Sequence, residues 1–65
     1  MDINEVEVGK IYKSGLGFVM AINGLPRDET KFKAVGLSGI YDKGFVIDAD
    51  PAAFELSKDQ NIGIW

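Results

Sequence analysis

The amino-acid sequence predicts an all-β protein, a small five-stranded antiparallel barrel with one short helical turn. Eight glycines in 65 residues interrupt the chain too often for an uncapped helix of ordinary length. Between the glycines lie short apolar or alternating runs. Turn chemistry recurs about every dozen residues, which is the spacing of a small barrel or sandwich.

The elements follow in chain order. Val6-Glu7-Val8-Gly9-Lys10-Ile11-Tyr12 carries apolar side chains on both sides of a glycine bend and is predicted as two short strand pieces. Phe18-Val19-Met20-Ala21-Ile22 is an apolar strand that stops at Asn23-Gly24, a strong turn dipeptide. Pro26 and Arg27-Asp28-Glu29 behind it make a polar hairpin loop. Lys31-Phe32-Lys33-Ala34-Val35-Gly36-Leu37 begins with polar and apolar residues alternating, as a half-buried strand does, and breaks at Ser38-Gly39.

Ile40-Tyr41 is predicted as a further short strand piece before Asp42-Lys43-Gly44, where glycine supplies the left-handed residue of a three-residue hairpin loop. Phe45-Val46-Ile47-Asp48 follows as a clear strand. Asp50-Pro51-Ala52-Ala53-Phe54 combines an N-cap aspartate, proline at the first helical position and two good helix formers. Five residues hold only one turn of helix or 3₁₀-helix, and Glu55-Leu56 continues from it. Residues 1–57 are therefore expected to form the single domain, with 58–65 a C-terminal segment that packs on the barrel or on a partner.

This order of elements resembles small Src-homology-3-like barrels. The residues that carry the likeness are the Val-x-Val-Gly-Lys-x-Tyr opening, the Gly-Phe strand, the charged hairpin, the Phe-Lys-Ala-Val-Gly-Leu strand, the glycine hairpin and the turn leading to Phe-Glu-Leu, roughly Val6 to Leu56. Similar compact proteins occur in phage and prophage genomes. In peptide-binding members of the fold, an acidic loop and an aromatic-lined groove receive proline-rich ligands. The consecutive aromatic residues of that groove are missing here, so the resemblance implies the architecture more than the binding mode. The KOW-type variant matches only weakly, because its basic surface is missing.

Composition and charge exclude several function classes. A net charge of −3, spread over both halves of the chain, offers no basic face for phosphates, so nucleic acid is not expected as a partner. No apolar run approaches the roughly 18 residues of a transmembrane helix, and Met1-Asp2-Ile3-Asn4-Glu5 is acidic where a signal peptide is basic. No membrane association and a cytoplasmic location are the expectation. The sequence has no cysteine and no histidine. Without them the usual base for a nucleophile and the usual soft metal ligands are missing.

Catalysis is accordingly not expected. Ser14, Thr30, Ser38 and Ser57 have no acid or base partner at any motif spacing, and read as turn residues. Gly15-Leu16-Gly17 precedes a strand, whereas phosphate-cradling glycine loops follow a strand and open a helix. Asp48 and Asp50 could share a hard divalent cation, which prefers oxygen ligands. An N-cap role for Asp50 competes with that reading and is favoured. Glu5 and Glu7 are expected on a solvated strand face, with contact to a basic partner as the alternative. No cofactor is expected.

The aromatic residues and the C-terminal end carry the remaining signal. Phe18, Phe32, Phe45 and Phe54 fall inside or beside strands and are expected in the core, since a chain of this size needs their bulk. Tyr12 and Tyr41 flank turns and are candidate interface residues, as is Arg27 in the loop that follows Asn23-Gly24. Ile62-Gly63-Ile64-Trp65 is an apolar end that the five-strand pattern leaves unassigned. Three placements compete for it: on its own barrel, on a second copy, or on another protein with Trp65 as anchor. The expected function is a non-catalytic protein-binding accessory module that contacts its partner through Tyr12, Arg27, Tyr41, Ile62, Ile64 and Trp65. The alternatives are a self-associating structural protein whose C-terminal segment completes a neighbouring barrel, and a divalent-metal site at Asp48 and Asp50.

Overall fold

The structure is a computed structural model and describes residues 2–60. Strands β1 (Ile11–Ser14), β2 (Gly17–Ala21), β3 (Phe32–Gly39) and β4 (Val46–Ala49) form an antiparallel meander, and β5 (Glu55–Leu56) returns to pair with β1. The result is one antiparallel sheet in the order β4-β3-β2-β1-β5. Two 3₁₀ turns, Ile3–Glu5 and Pro51–Ala53, precede β1 and β5. No α-helix occurs among the described residues, and none of its helical segments is long and apolar enough to cross a membrane.

Strand register decides which side chains are buried. Tyr12 faces Val19, Val19 faces Gly36, Ala21 faces Ala34, and Ala34 faces Ile47. Successive strand residues point to opposite faces, so these partners share one face. There Tyr12, Val19, Ala21, Phe32, Ala34 and Ala49 form the buried core with Phe54, and Ile3, Val6, Tyr41 and Ile47 pack against it. The aromatic rings are in sequence contact: Tyr12 on Phe32 at 5.6 Å, Phe32 on Phe54 at 6.0 Å, and Phe54 on Tyr41 at 5.5 Å between centroids. All three pairs are tilted or edge-on, the arrangements that ring quadrupoles favour.

A bulge between Phe18 and Val19 shifts the β2–β3 register. Gly36, which pairs with Val19 beside the extra residue Leu37, is buried against the loop that closes the β3–β4 hairpin, and a side chain there would collide with the Asp42 carbonyl. The cap predicted at Asp50 is present. Its Oδ1 accepts from Ala52 N at 3.0 Å, with Pro51 opening the turn. Gly44 takes the left-handed conformation expected of it, at φ +89°.

Three local expectations are corrected. Val6–Val8 is not a strand, because Val6 N closes the first 3₁₀ turn on Ile3 O and Lys10 N closes a second turn on Glu7 O. Strand structure starts only at Ile11. Ile40-Tyr41 is not a separate strand piece, since β3 runs on to Gly39 and Ile40 N then bonds to Leu16 O across the sheet end. Phe45 is 66% exposed rather than in the core. It sits at the mouth of the hairpin, where its backbone bonds to Asp42 and Gly36 fix it ahead of the first paired residue of β4.

One contact closes the end of the described chain. The Gln60 side chain lies beside β1 and uses both ends of its amide: Oε1 accepts from Ile11 N at 2.8 Å, and Nε2 donates to Ile11 O at 3.0 Å. The amide thus takes the place of a strand residue beyond β5. Ser57, buried, continues the same pairing by donating its N–H to Ile11 O.

Candidate protein-binding groove

A cavity of about 430 Å³ opens between the N-terminal turn and β5, lined by Glu5, Glu7, Tyr12, Glu55 and Leu56. Each wall has a local cause. Asp2 caps the first 3₁₀ turn, accepting from Asn4 N at 3.1 Å, and this sets Glu5 on the rim. Ile3 and Val6 hold that turn down by packing on the core. The Tyr12 hydroxyl accepts from Glu7 N at 2.8 Å, so the buried ring of β1 fixes the position of Glu7 as well.

The opposite wall comes from the far end of the chain. Pairing of Tyr12 with Leu56 and of Lys13 with Glu55 brings β5 alongside. Glu55 approaches Lys13 at 3.6 Å with 73% of its side chain exposed, too wet for the pair to neutralise the rim. Leu56 stays 55% exposed. Three carboxylates therefore line a groove whose floor is the exposed Leu56 side chain and the hydroxyl end of Tyr12. Such a site suits a cationic side chain flanked by an apolar one.

Three of the six interface residues expected from the sequence are among the described residues. Tyr12 is only 2% exposed, its ring in the core and its hydroxyl at the groove. Tyr41 is half-buried on Phe54, its hydroxyl 3.2 Å from Ser14 Oγ. Arg27 lies exposed in the β2–β3 loop, away from the groove, with its backbone N–H on Asp48 Oδ2 at 3.2 Å. Ile62, Ile64 and Trp65 lie outside the described residues. Glu5 and Glu7 were visible in the sequence as a close acidic pair. Glu55 and Leu56 carried no signal of their own, because only the β1–β5 pairing brings them there.

Asp48 and Asp50 point to separate partners. Asp48 binds the Lys33 ammonium at 2.7 Å and Arg27 N, and the Lys33 bond, then the Arg27 bond, hold its carboxyl below the usual range. Asp50 accepts from Ala52 N and lies 3.4 Å from Lys31 Nζ, and its carboxyl is lowered chiefly by the capping bond. Among the described residues no group of three acidic, histidine or cysteine side chains is placed to hold a metal ion. No family model, no curated protein and no solved structure matches this chain.

Proposed function

We propose that the protein is a non-catalytic protein-binding module built on a Src-homology-3-like barrel, and that its groove receives a basic, partly apolar segment of a partner protein. The observation that carries the binding reading is the cavity in which Glu5, Glu7 and Glu55 lie around the exposed Leu56 and the hydroxyl end of Tyr12. Recognition sites concentrate on segments held by a rigid sheet, and here the holding bond is the one from Glu7 N to the Tyr12 hydroxyl.

Chain length supports closure of the sheet. In a flat sheet, four inter-strand steps of roughly 4.8 Å would separate edges β4 and β5 by about 19 Å. The link from Ala49 to Glu55 includes the Pro51–Ala53 turn. With three steps at roughly 2.0 Å and three at roughly 3.3 Å, it reaches only about 16 Å. Curling the sheet removes the shortfall. The same curl lets Phe54, from the link itself, join a core that draws on β1 to β4.

The test is an NMR titration with a synthetic peptide containing leucine, proline and two lysines, beside a twin with glutamine for lysine. Shifts confined to Glu5, Glu7, Tyr12, Glu55 and Leu56, weakened by salt and by E7K, are expected. Binding that is equal for both peptides, or that ignores E7K and E55K, would sink the assignment.

A further inference from the structure

β4 is an outer strand of the sheet: β3 lies on one side of it, and no described strand pairs with the other. Which of its backbone groups stay open follows from one bond. Gly36 N donates to Phe45 O at 2.8 Å, and these two residues continue by one step the register that pairs Val35 with Val46. Antiparallel partners alternate between bonded and non-bonded pairs, so Phe45, Ile47 and Ala49 turn their N–H and C=O groups toward β3. Val46 and Asp48 turn theirs outward, and no bond from another described segment reaches them.

Sheet edges are commonly protected by proline, lysine or a bulge. Val46-Ile47-Asp48-Ala49 has none of these. Its one charge, Asp48, is paired with the Lys33 ammonium at 2.7 Å. Phe45 and Val46 are both exposed, and by alternation they flank the edge on opposite faces of the sheet. The open stretch is bounded by Gly44, whose N–H is held by Gly36 O, and by Pro51, which has no N–H.

We propose that this edge receives the same edge of a second copy, antiparallel, about a two-fold axis at Ile47. Self-complementarity selects that occupant. With Ile47 opposite Ile47 of the second copy, Val46 meets Asp48 of the second copy and the reverse, so every outward group of both strands is bonded. Phe45 then lies opposite Ala49 of the second copy, a large side chain against a small one. An axis at Val46 would instead set Asp48 against Gly44, whose N–H is already used. An axis at Asp48 would set two carboxylates directly opposite each other, which is destabilising. Two-fold pairing of one patch with itself is closed, so no β4 edge remains for a third copy. β4 does not line the groove, and this inference is independent of the protein-binding reading.

Sedimentation equilibrium and amide hydrogen exchange by NMR, each across a concentration series of the full chain, test this. Small interfaces bind weakly, so the mass should rise from one chain toward two between about 10 µM and about 1 mM. Over the same range exchange of the Val46 and Asp48 amides should slow several-fold, while Ile47 and Ala49, bonded to β3, stay protected throughout. V46P removes an outward N–H without touching a bond to β3, and V46K places a charge beside the axis. Both should hold the chain at a single mass with native far-UV circular dichroism, and V46K decides if V46P does not fold. A single-chain mass at about 1 mM overturns the proposal. So does a dimer in which the Val46 and Asp48 amides exchange as fast as in the single chain, or one that persists in folded V46K. Protection of those two amides in the single chain also overturns it, because the edge is then covered from within.

Discussion

Replacing Gln60 by alanine isolates one side chain that joins the two ends of the described chain. The substitution removes the acceptor of Ile11 N at 2.8 Å and the donor to Ile11 O at 3.0 Å and Ser57 O at 2.6 Å. Ile11 O keeps its bond from Ser57 N, but Ile11 N loses its partner in a residue with no exposed surface. An orphaned buried donor costs about 1–3 kcal/mol, and the middle of that range is about 2 kcal/mol. For a domain of this size each kcal/mol lowers Tm by about 4–8 °C, so Q60A should melt roughly 8–16 °C below the parent. That is a large part of the stability expected of 65 residues, about 3–10 kcal/mol. Thermal unfolding followed by circular dichroism measures the shift, with K58A as an exposed control expected to stay within about 0.5 kcal/mol. Amide exchange at Ile11 should accelerate in Q60A before that of Val19. A Tm within about 3 °C of the parent, with Ile11 exchange unchanged, would show that the amide is not acting as a strand residue.

Other outcomes follow from the same geometry. G44A should cost about 1–2 kcal/mol, because only the left-handed backbone at φ +89° resists the new side chain and the surrounding space is open. G39A should cost distinctly more in the same melt, since at φ +75° its Cβ would also collide with the Leu16 carbonyl. The carboxyls of Asp28, Asp48 and Asp50 are all lowered, by the Thr30 amide, the Lys33 ammonium and the Ala52 amide in turn. A carboxyl with a lowered pKa in the fold contributes stability above the unfolded value of about 3.9, and that contribution is lost as pH falls through the folded value. Tm should therefore drop below about pH 4, and D48N should flatten that part of the profile; an unchanged acid slope in D48N would contradict the Lys33 assignment. D50A should lower Tm by removing the cap, and D50N should retain most of it, because an amide oxygen still accepts from Ala52 N. Equal losses in the two variants would mean that the Lys31 ion pair, and not the cap, is what matters.

How well the sequence reads depends on how far apart in the chain the interacting groups are. β2, β3 and β4 announce themselves through apolar runs and alternation, and Asp50-Pro51 announces its turn, because these signals lie within a few residues. Val6–Val8 misleads for the same reason: its alternation suits a strand, yet the turn closed by Val6 N on Ile3 O takes the backbone bonds first. Phe45 misleads because aromatic bulk suggests burial while its place at the hairpin mouth leaves it in water. In the groove, Tyr12 and the Glu5/Glu7 pair were legible as candidates. Their partners Glu55 and Leu56 were not, since more than forty residues separate the two walls.

The sequence by itself determined an all-β chain of short strands and the capped turn at Asp50. These are matters of local backbone preference and of composition, which a linear reading contains. Only the tertiary structure decided that β5 pairs with β1, that the Tyr12 hydroxyl holds Glu7, and that Gln60 completes the edge at Ile11 across a separation of 49 residues. Such contacts depend on how distant parts of the chain are brought together. No residue-by-residue pattern encodes them, because each partner is ordinary until the register puts it opposite the other.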